Sequence, residues 1–429
     1  MRIRARALLV IVPLLFGARS VHGEVLVRWT HATVPPAAVL GIPSLALPAS
    51  SDEAILGALT HGYRVFIEGD AAALARFRLP ASGLGGVIVK GNATRAQLAA
   101  LRQRLRPLNA RLLTLDERGK WPHIRSNWVT KNNEVLQVAG RSAQPWIENN
   151  AALIRSGGST KEGTRLLTYT WNPITVSDLD EGPALADYLV AVAEAGSFGA
   201  DLLLPLHERF QRGVLLGQPE ARRDWRELRR YIEFYSANLP RNYEPMATVG
   251  VVTDAPGVWF EAMNLLARHN VAFELIAPGQ LAARARPPLK TLIVLDEPNA
   301  AQADVLSAFE RQGGVVKPVQ EVADPNRFAL ELRRQLGRDE RIIDIWNGIT
   351  VLAAPFKEPD GNGMLVTVLN YAHLPLPVQL RIAGTFLQVH YESPEEPATL
   401  LAHEHRNGHT EFVIPALHVG GRVFLSGTP

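Results

Sequence analysis

The sequence predicts an α/β protein: a (β/α)₈ TIM-like barrel, then a small second α/β segment, then a C-terminal antiparallel β-sandwich. Three observations predict it. Strand-like and helix-like segments alternate eight times between Glu24 and Asn238. Several of these strands are continuous apolar runs, the mark of strands covered on both faces. Beyond Trp346 the hydrophobic period switches to two, with Gly, Pro and Asn in the connections.

The chain opens on a segment that is not part of the globule. Arg2, Arg4 and Arg6 form a basic start, residues 7–18 an apolar run, and Val21-His22-Gly23 a small-residue cleavage site before Glu24. This reads as a secretory signal over 1–23, and places the protein in the periplasm or outside the cell. An uncleaved anchor is the alternative. No later run is long and apolar enough to span a bilayer. The formal charge of +3 includes Arg2, Arg4, Arg6 and Arg19, so the mature chain would carry −1. That balance gives no footprint for nucleic acid. Cysteine is absent, which excludes disulfides, thiolate metal sites and cysteine nucleophiles.

Within 24–238 the strands are read at 25–29, 44–48, 64–68, 86–90, 111–116, 135–139, 165–171 and 201–207. Amphipathic helices fall at 52–60, 94–106, 145–154 and 183–194, and an open doubly wound sheet is the alternative architecture. Residues 120–131, rich in aromatics and turn formers, read as a hairpin over the barrel mouth. The helix 222–236 carries Trp225, Leu228, Tyr231 and Ile232 at core spacing. A linker composition at 238–245 ends the barrel. The segment 246–345 alternates strands (247–253, 272–277, 291–295, 315–318) with helices (255–269, 300–312, 325–336). Short alternating strands fill 346–429.

In parallel α/β folds the site lies at the carboxyl ends of the strands. The run Ala200-Asp-Leu-Leu-Leu-Pro-Leu-His-Glu208 ends there in two proton-carrying side chains, His207 and Glu208. Glycosidases need two carboxyls flanking a sugar bond. The strand ends offer Glu68, Asp116 and Glu208. Alternation groups Asp116 with Leu112 and Thr114, and the threonine-bearing face is expected to point into the mouth. Glu208 and Asp116 are therefore the expected catalytic pair. His207, Glu68, Trp121, Trp171 and Asn172 are expected to contact a carbohydrate, the aromatic rings as stacking platforms. Each carboxyl also has a structural reading as a helix cap or as the partner of a following arginine. His403, His405 and His409 offer at most an adventitious zinc half-site on a hairpin, so no resident metal or other cofactor is expected.

The layout resembles that of the β-galactosidases with a glutamine-amidotransferase-like trimerisation domain. The residues carrying the likeness are VGVVTD and TLIVLDEPNA in the middle segment. The barrel segment, with LQVAGRSAQPWIENNAALIR and GADLLLPLHERF, resembles secreted bacterial barrel proteins related to glycoside hydrolases. The resemblance implies a flavodoxin-like, amidotransferase-like middle domain given to packing or homo-oligomer contacts. With no cysteine, that domain cannot perform amidotransferase chemistry. Asp296 and Glu297 then read as turn and cap residues. Two functions follow from barrel and likeness together: a secreted glycoside hydrolase, or a non-catalytic carbohydrate-binding or cell-envelope assembly protein.

Overall fold

The structure is a computed structural model. It describes residues 24–122, 129–132, 135–138, 150–156, 164–171, 180–237, 239, 243–285, 287–319, 322–338, 341–348, 350–358, 363–372 and 374–427. Residues 1–23, expected to be a secretory signal, and Asn172 lie outside these.

The barrel strands are β1 (Val25–Arg28), β2 (Ser44–Pro48), β3 (Arg64–Asp70), β4 (Leu84–Lys90), β5 (Arg111–Lys120), β8 (Thr164–Thr170) and β9 (Asp201–Pro205). They pair in parallel in that order and close β9 onto β1. One residue from each strand fills the interior: Leu26, Ala46, Phe66, Ile88, Leu113, Leu166 and Leu203, all buried. Their neighbours Val27, Leu45, Val65, Val87, Leu112, Leu167 and Leu202 face outward into the helix layer. Both faces of the sheet are thus dry, which is why the strands read as apolar runs.

Among the described residues the closed sheet has seven strands, where the sequence pattern predicts eight. The strand expected at 135–139 is β7 (Val135–Val138), which pairs antiparallel with β6 (Val129–Asn132) in a separate two-stranded sheet. A partner a few residues away closes a far smaller loop than a barrel neighbour would, so the local pairing wins. β5 then pairs directly with β8. Their register slips between Asp116 and Gly119, where a Cβ at Gly119 would come within 2.4 Å of the Thr168 carbonyl.

The helices follow from capping and patterning. Arg95–Leu105 starts on a Thr94/Gln97 capping box and buries Leu98, Leu101 and Leu105. Pro219–Ser236 buries Trp225, Leu228, Tyr231, Ile232 and Tyr235, the expected stripe plus one ring. Leu185–Phe198 is buried on every side from Asp187 onward. Its apolar composition all round fits a helix with protein on both flanks.

The second parallel sheet has the order β12-β11-β13-β14, from β11 (Val249–Val252), β12 (Phe273–Ile276), β13 (Thr291–Val294) and β14 (Val315–Pro318). The predicted helix at 255–269 is in fact a 3₁₀ turn, Pro256–Trp259, leading into the helix Phe260–Arg268. Two antiparallel sheets follow. One holds Val351–Lys357, Met364–Asn370, Gln388–Glu392 and Gly420–Ser426; the other holds Ile343–Trp346, Leu376–Ala383, His403–Arg406 and His409–Leu417. Val366, Val389 and Val423 of the first meet Leu380, Phe412 and Ile414 of the second in one core.

A buried acid joins barrel to sandwich. Glu194, on the helix Leu185–Phe198, has no solvent exposure. Its Oε2 accepts from Tyr169 Oη and Asn150 Nδ2 at 2.8 Å each, and its Oε1 accepts from Tyr371 Oη at 2.7 Å. Burial pushes its carboxyl from 4.5 up to about 7, although the three bonds act in the other direction. Between those values the folded chain keeps a proton that the unfolded chain has released. This contribution to stability is therefore full below 4.5, falls as pH rises, and levels off above about 7. Glu194→Gln should remove it: urea unfolding should show wild type losing on the order of 3 kcal/mol relative to the variant across that window. Parallel stability–pH curves would contradict this.

Candidate functional site

Alternation carries the inward face upward from the interior layer to the carboxyl ends of the strands. Above Leu26, Phe66 and Ile88 stand Arg28, Glu68 and Lys90. Glu68 has 3% of its side chain exposed. Arg28 grips it in a two-point bond, Nε to Oε2 at 2.7 Å and Nη2 to Oε1 at 2.8 Å. Lys90 Nζ adds a contact of 3.3 Å to the same Oε1. Both oxygens are thus engaged by cations. The loop after β1 is held rigidly. Buried Gln211 accepts from Thr30 and His31 backbone N–H through Oε1 at 2.9 and 3.0 Å, and donates to the Leu206 carbonyl at 2.7 Å.

Of the two expected catalytic carboxyls, Asp116 turns away from the mouth. The inward residues of β5 are Leu113 and Leu115, so the face with Leu112, Thr114 and Asp116 meets the helix layer. Asp116 accepts from Arg118 Nε at 2.9 Å and Nη2 at 3.0 Å, and pairs with Arg165. Burial would raise its carboxyl, but the Arg118 bonds and the Arg165 charge outweigh that and hold it below the usual range. Such a group stays ionised and cannot serve as a general acid near neutrality. Glu208 opens the helix Glu208–Leu215. It is 63% exposed and bonded to Arg212, four residues on, at 2.6 Å. Glu208 is not a strand-end acid, because β9 ends at Pro205 and Glu208 already belongs to the first helical turn. Glu68, Asp116 and Glu208 each have their own cation partners.

His207 is the N-cap of that helix. Its Nδ1 accepts from Arg209 N–H at 3.4 Å, and its own N–H donates to Tyr188 Oη at 2.9 Å. Trp121 is buried, edge-on to Tyr169, Trp171 and Tyr188 at centroid distances of 6.0, 5.7 and 5.4 Å. Tyr169 and Tyr188 belong to the core between barrel and helices, so Trp121 acts there as packing. Trp171 lies partly buried at the edge of the cluster. His403 and His405 face the carbonyls of Leu401 and Phe386. Among the described residues no group of three or more His, Asp or Glu is placed to hold a metal.

Arg28 and Lys90 escaped the sequence reading, which weighed only carboxyls and rings. The signal was present: each lies two residues beyond an interior apolar residue on its strand. A crevice of about 210 Å³ opens at the carboxyl ends of β11 and β13 beside Asp254, Asp296, Glu297 and Asn299. Asp296 accepts from Asp254 N–H at 2.7 Å, and Asn299 with Gln302 forms a capping box.

No family model and no curated protein matches this chain. Among solved structures it is similar to alpha-L-fucosidase isoenzyme 2 from Paenibacillus thiaminolyticus. The two are 10% identical, over 96% of this chain and 100% of that one, with a TM-score of 0.61. The likeness is one of fold. A GH42 beta-galactosidase also aligns, at 10% identity over 88% of this chain and 66% of that one, but its TM-score of 0.41 carries no argument. No helix among the described residues is long and apolar enough to cross a membrane.

The site geometry separates the carboxyls by stability. Arg28→Met should strand the buried Glu68 with Lys90 alone and cost about 3 kcal/mol. Glu208→Gln removes an exposed i,i+4 pair and should cost no more than about 0.5 kcal/mol. Denaturant midpoints would check both; equal costs would show that Glu68 is not the buried charge described.

Proposed function

We propose that this chain is a glycoside-hydrolase-like protein that engages carbohydrate through the barrel mouth, and that it binds its glycan without turning it over. The observation carrying the second half is the two-point grip of Arg28 on Glu68. A glycosidase needs one carboxyl free to give a proton and a second placed across the sugar bond. Glu68 is committed to two cations, and Asp116 faces the helix layer. The fold it shares with a fucosidase supports the carbohydrate half.

The catalytic reading keeps Glu208 and Asp116 as its pair, with His207, Glu68, Trp121, Trp171 and Asn172 around the sugar. A screen of nitrophenyl glycosides and oligosaccharides, run beside a glycan-binding array, decides between them. Binding without product release is the expected result. Turnover that falls by on the order of 10²–10⁴ in Glu208→Gln would establish the enzyme instead.

Export belongs to the same proposal. Glu24 N–H lies 2.7 Å from Asp201 Oδ1. Cleavage after Gly23 would turn that amide into an ammonium facing a carboxylate, a stronger bond. Protein taken from the cell envelope or medium should begin at or next to Glu24 by N-terminal sequencing; an intact Met1 start would contradict export with processing. The parallel sheet β11–β14 is assigned to packing or homo-oligomer contacts, as an amidotransferase-like domain without its cysteine.

A further inference from the structure

In the second parallel sheet β11 pairs with β12 on one side and with β13 on the other. The connection after β11 runs to the β12 edge, and the one after β12 crosses back to β13. Sheets wound in both directions open a ligand crevice beyond the carboxyl ends of the strands at that reversal. The crevice of about 210 Å³ lies there, between the ends of β11 and β13. Val252, Leu281, Val294 and Leu306 form its apolar floor, each more than nine-tenths buried. Asp254, Asp296 and Glu297 bring carboxylates to its wall, and Asn299 and Gln302 bring amides. The fold uses only part of these groups. Asp296 Oδ2 accepts from Asp254 N–H at 2.7 Å. The amide oxygens of Asn299 and Gln302 close the capping box of the helix Ala300–Arg311. Among the described residues the second oxygen of Asp296, the carboxylates of Asp254 and Glu297, and both amide NH₂ groups enter no hydrogen bond or ion pair.

Acceptors and donors thus stand side by side above a dry floor, the make-up of a small-molecule site. Its chemistry narrows the ligand. No Lys or Arg is among the described lining residues, so an anion meets only like charge from the three carboxylates. The carboxylates do not converge as metal ligands would. A hydroxyl both donates and accepts, which suits carboxylates and amide NH₂ groups together. The volume is below the roughly 300–1,000 Å³ of pockets for drug-sized ligands, so it holds one small molecule. We infer that this crevice is a binding site, separate from the barrel mouth, for one neutral polyhydroxyl molecule the size of a monosaccharide. Asp254 and Glu297 accept from its hydroxyls, Asn299 and Gln302 donate to its oxygens, and the floor takes its C–H face. This assignment does not rest on the carbohydrate reading of the mouth.

The test titrates the full chain with glucose, galactose, mannose and ribose by ligand-observed NMR, with glucuronate as the charged counterpart of glucose. At least one neutral sugar should bind. Asp254→Ala and Glu297→Ala should each weaken it roughly tenfold or more, the effect of losing a hydrogen bond to a charged group. Both side chains are exposed and bond nothing in the fold, so the variants should melt as wild type does. Lys90→Met, at the barrel mouth, should leave this binding unchanged, and glucuronate should bind more weakly than glucose. Binding that survives both carboxylate substitutions, or that is lost in Lys90→Met, would place the sugar elsewhere and overturn the inference. Equal binding of glucuronate and glucose, or no binding of any neutral sugar, would overturn it as well. The oligosaccharide array tests the mouth separately, so failure at the crevice leaves that reading standing.

Discussion

The pairing of β1 with β9 is the constraint on which the molecule depends. Val25–Arg28 aligns residue for residue with Leu202–Pro205 and closes the sheet across nearly the whole barrel segment. Closure removes both sheet edges and forces one face of every strand inward. Seven buried side chains, with Leu115 packed against them, then fill the interior, Phe66 taking up space that Ala46 leaves. The same closure decides what stands at the rim: residues two positions beyond the interior layer have nowhere to point but up. That is why Arg28, Glu68 and Lys90 meet although they are distant in sequence.

A second constraint fixes the barrel against the rest of the chain. The helix Leu185–Phe198 is covered by the barrel on one side and by the antiparallel sheet on the other, with Thr367 Oγ1 donating to the Ser197 carbonyl at 2.7 Å. Glu194 holds hydroxyl and amide donors from three separate stretches at this seam. A polar knot in a dry interface fixes one alignment, since a shifted arrangement would leave a buried acid without donors. The mouth is therefore carried on a frame whose parts cannot slide.

Much of this was legible in the sequence. The apolar runs marked six of the seven barrel strands to within a residue or two, and the 3.6-residue spacing of Trp225, Leu228, Tyr231 and Ile232 marked a core helix. What was not legible has physical causes. A strand that is dry on both faces gives no hint of which face is inside, so Thr114 was assigned to the mouth when Leu113 and Leu115 hold it. Val135–Val138 has the composition of a barrel strand, and pattern alone cannot tell it from half of a hairpin. Glu208 looked like a strand-end acid, yet Arg212 four residues later already spelled a helical pair. Glu194 looked like any amphipathic helix residue, because Asn150, Tyr169 and Tyr371 are its neighbours only in the folded chain.

The central claim is that the barrel mouth, where Arg28, Glu68 and Lys90 meet, is where ligand sits. Amine footprinting reads this at a single atom. The full chain would be methylated at its lysines with and without an oligosaccharide that binds in the glycan array, and modification rates compared by mass spectrometry. The account predicts that the saccharide slows modification of Lys90 and leaves exposed Lys290, beside the second parallel sheet, unchanged. Equal rates at Lys90 with and without a saccharide shown to bind would contradict it.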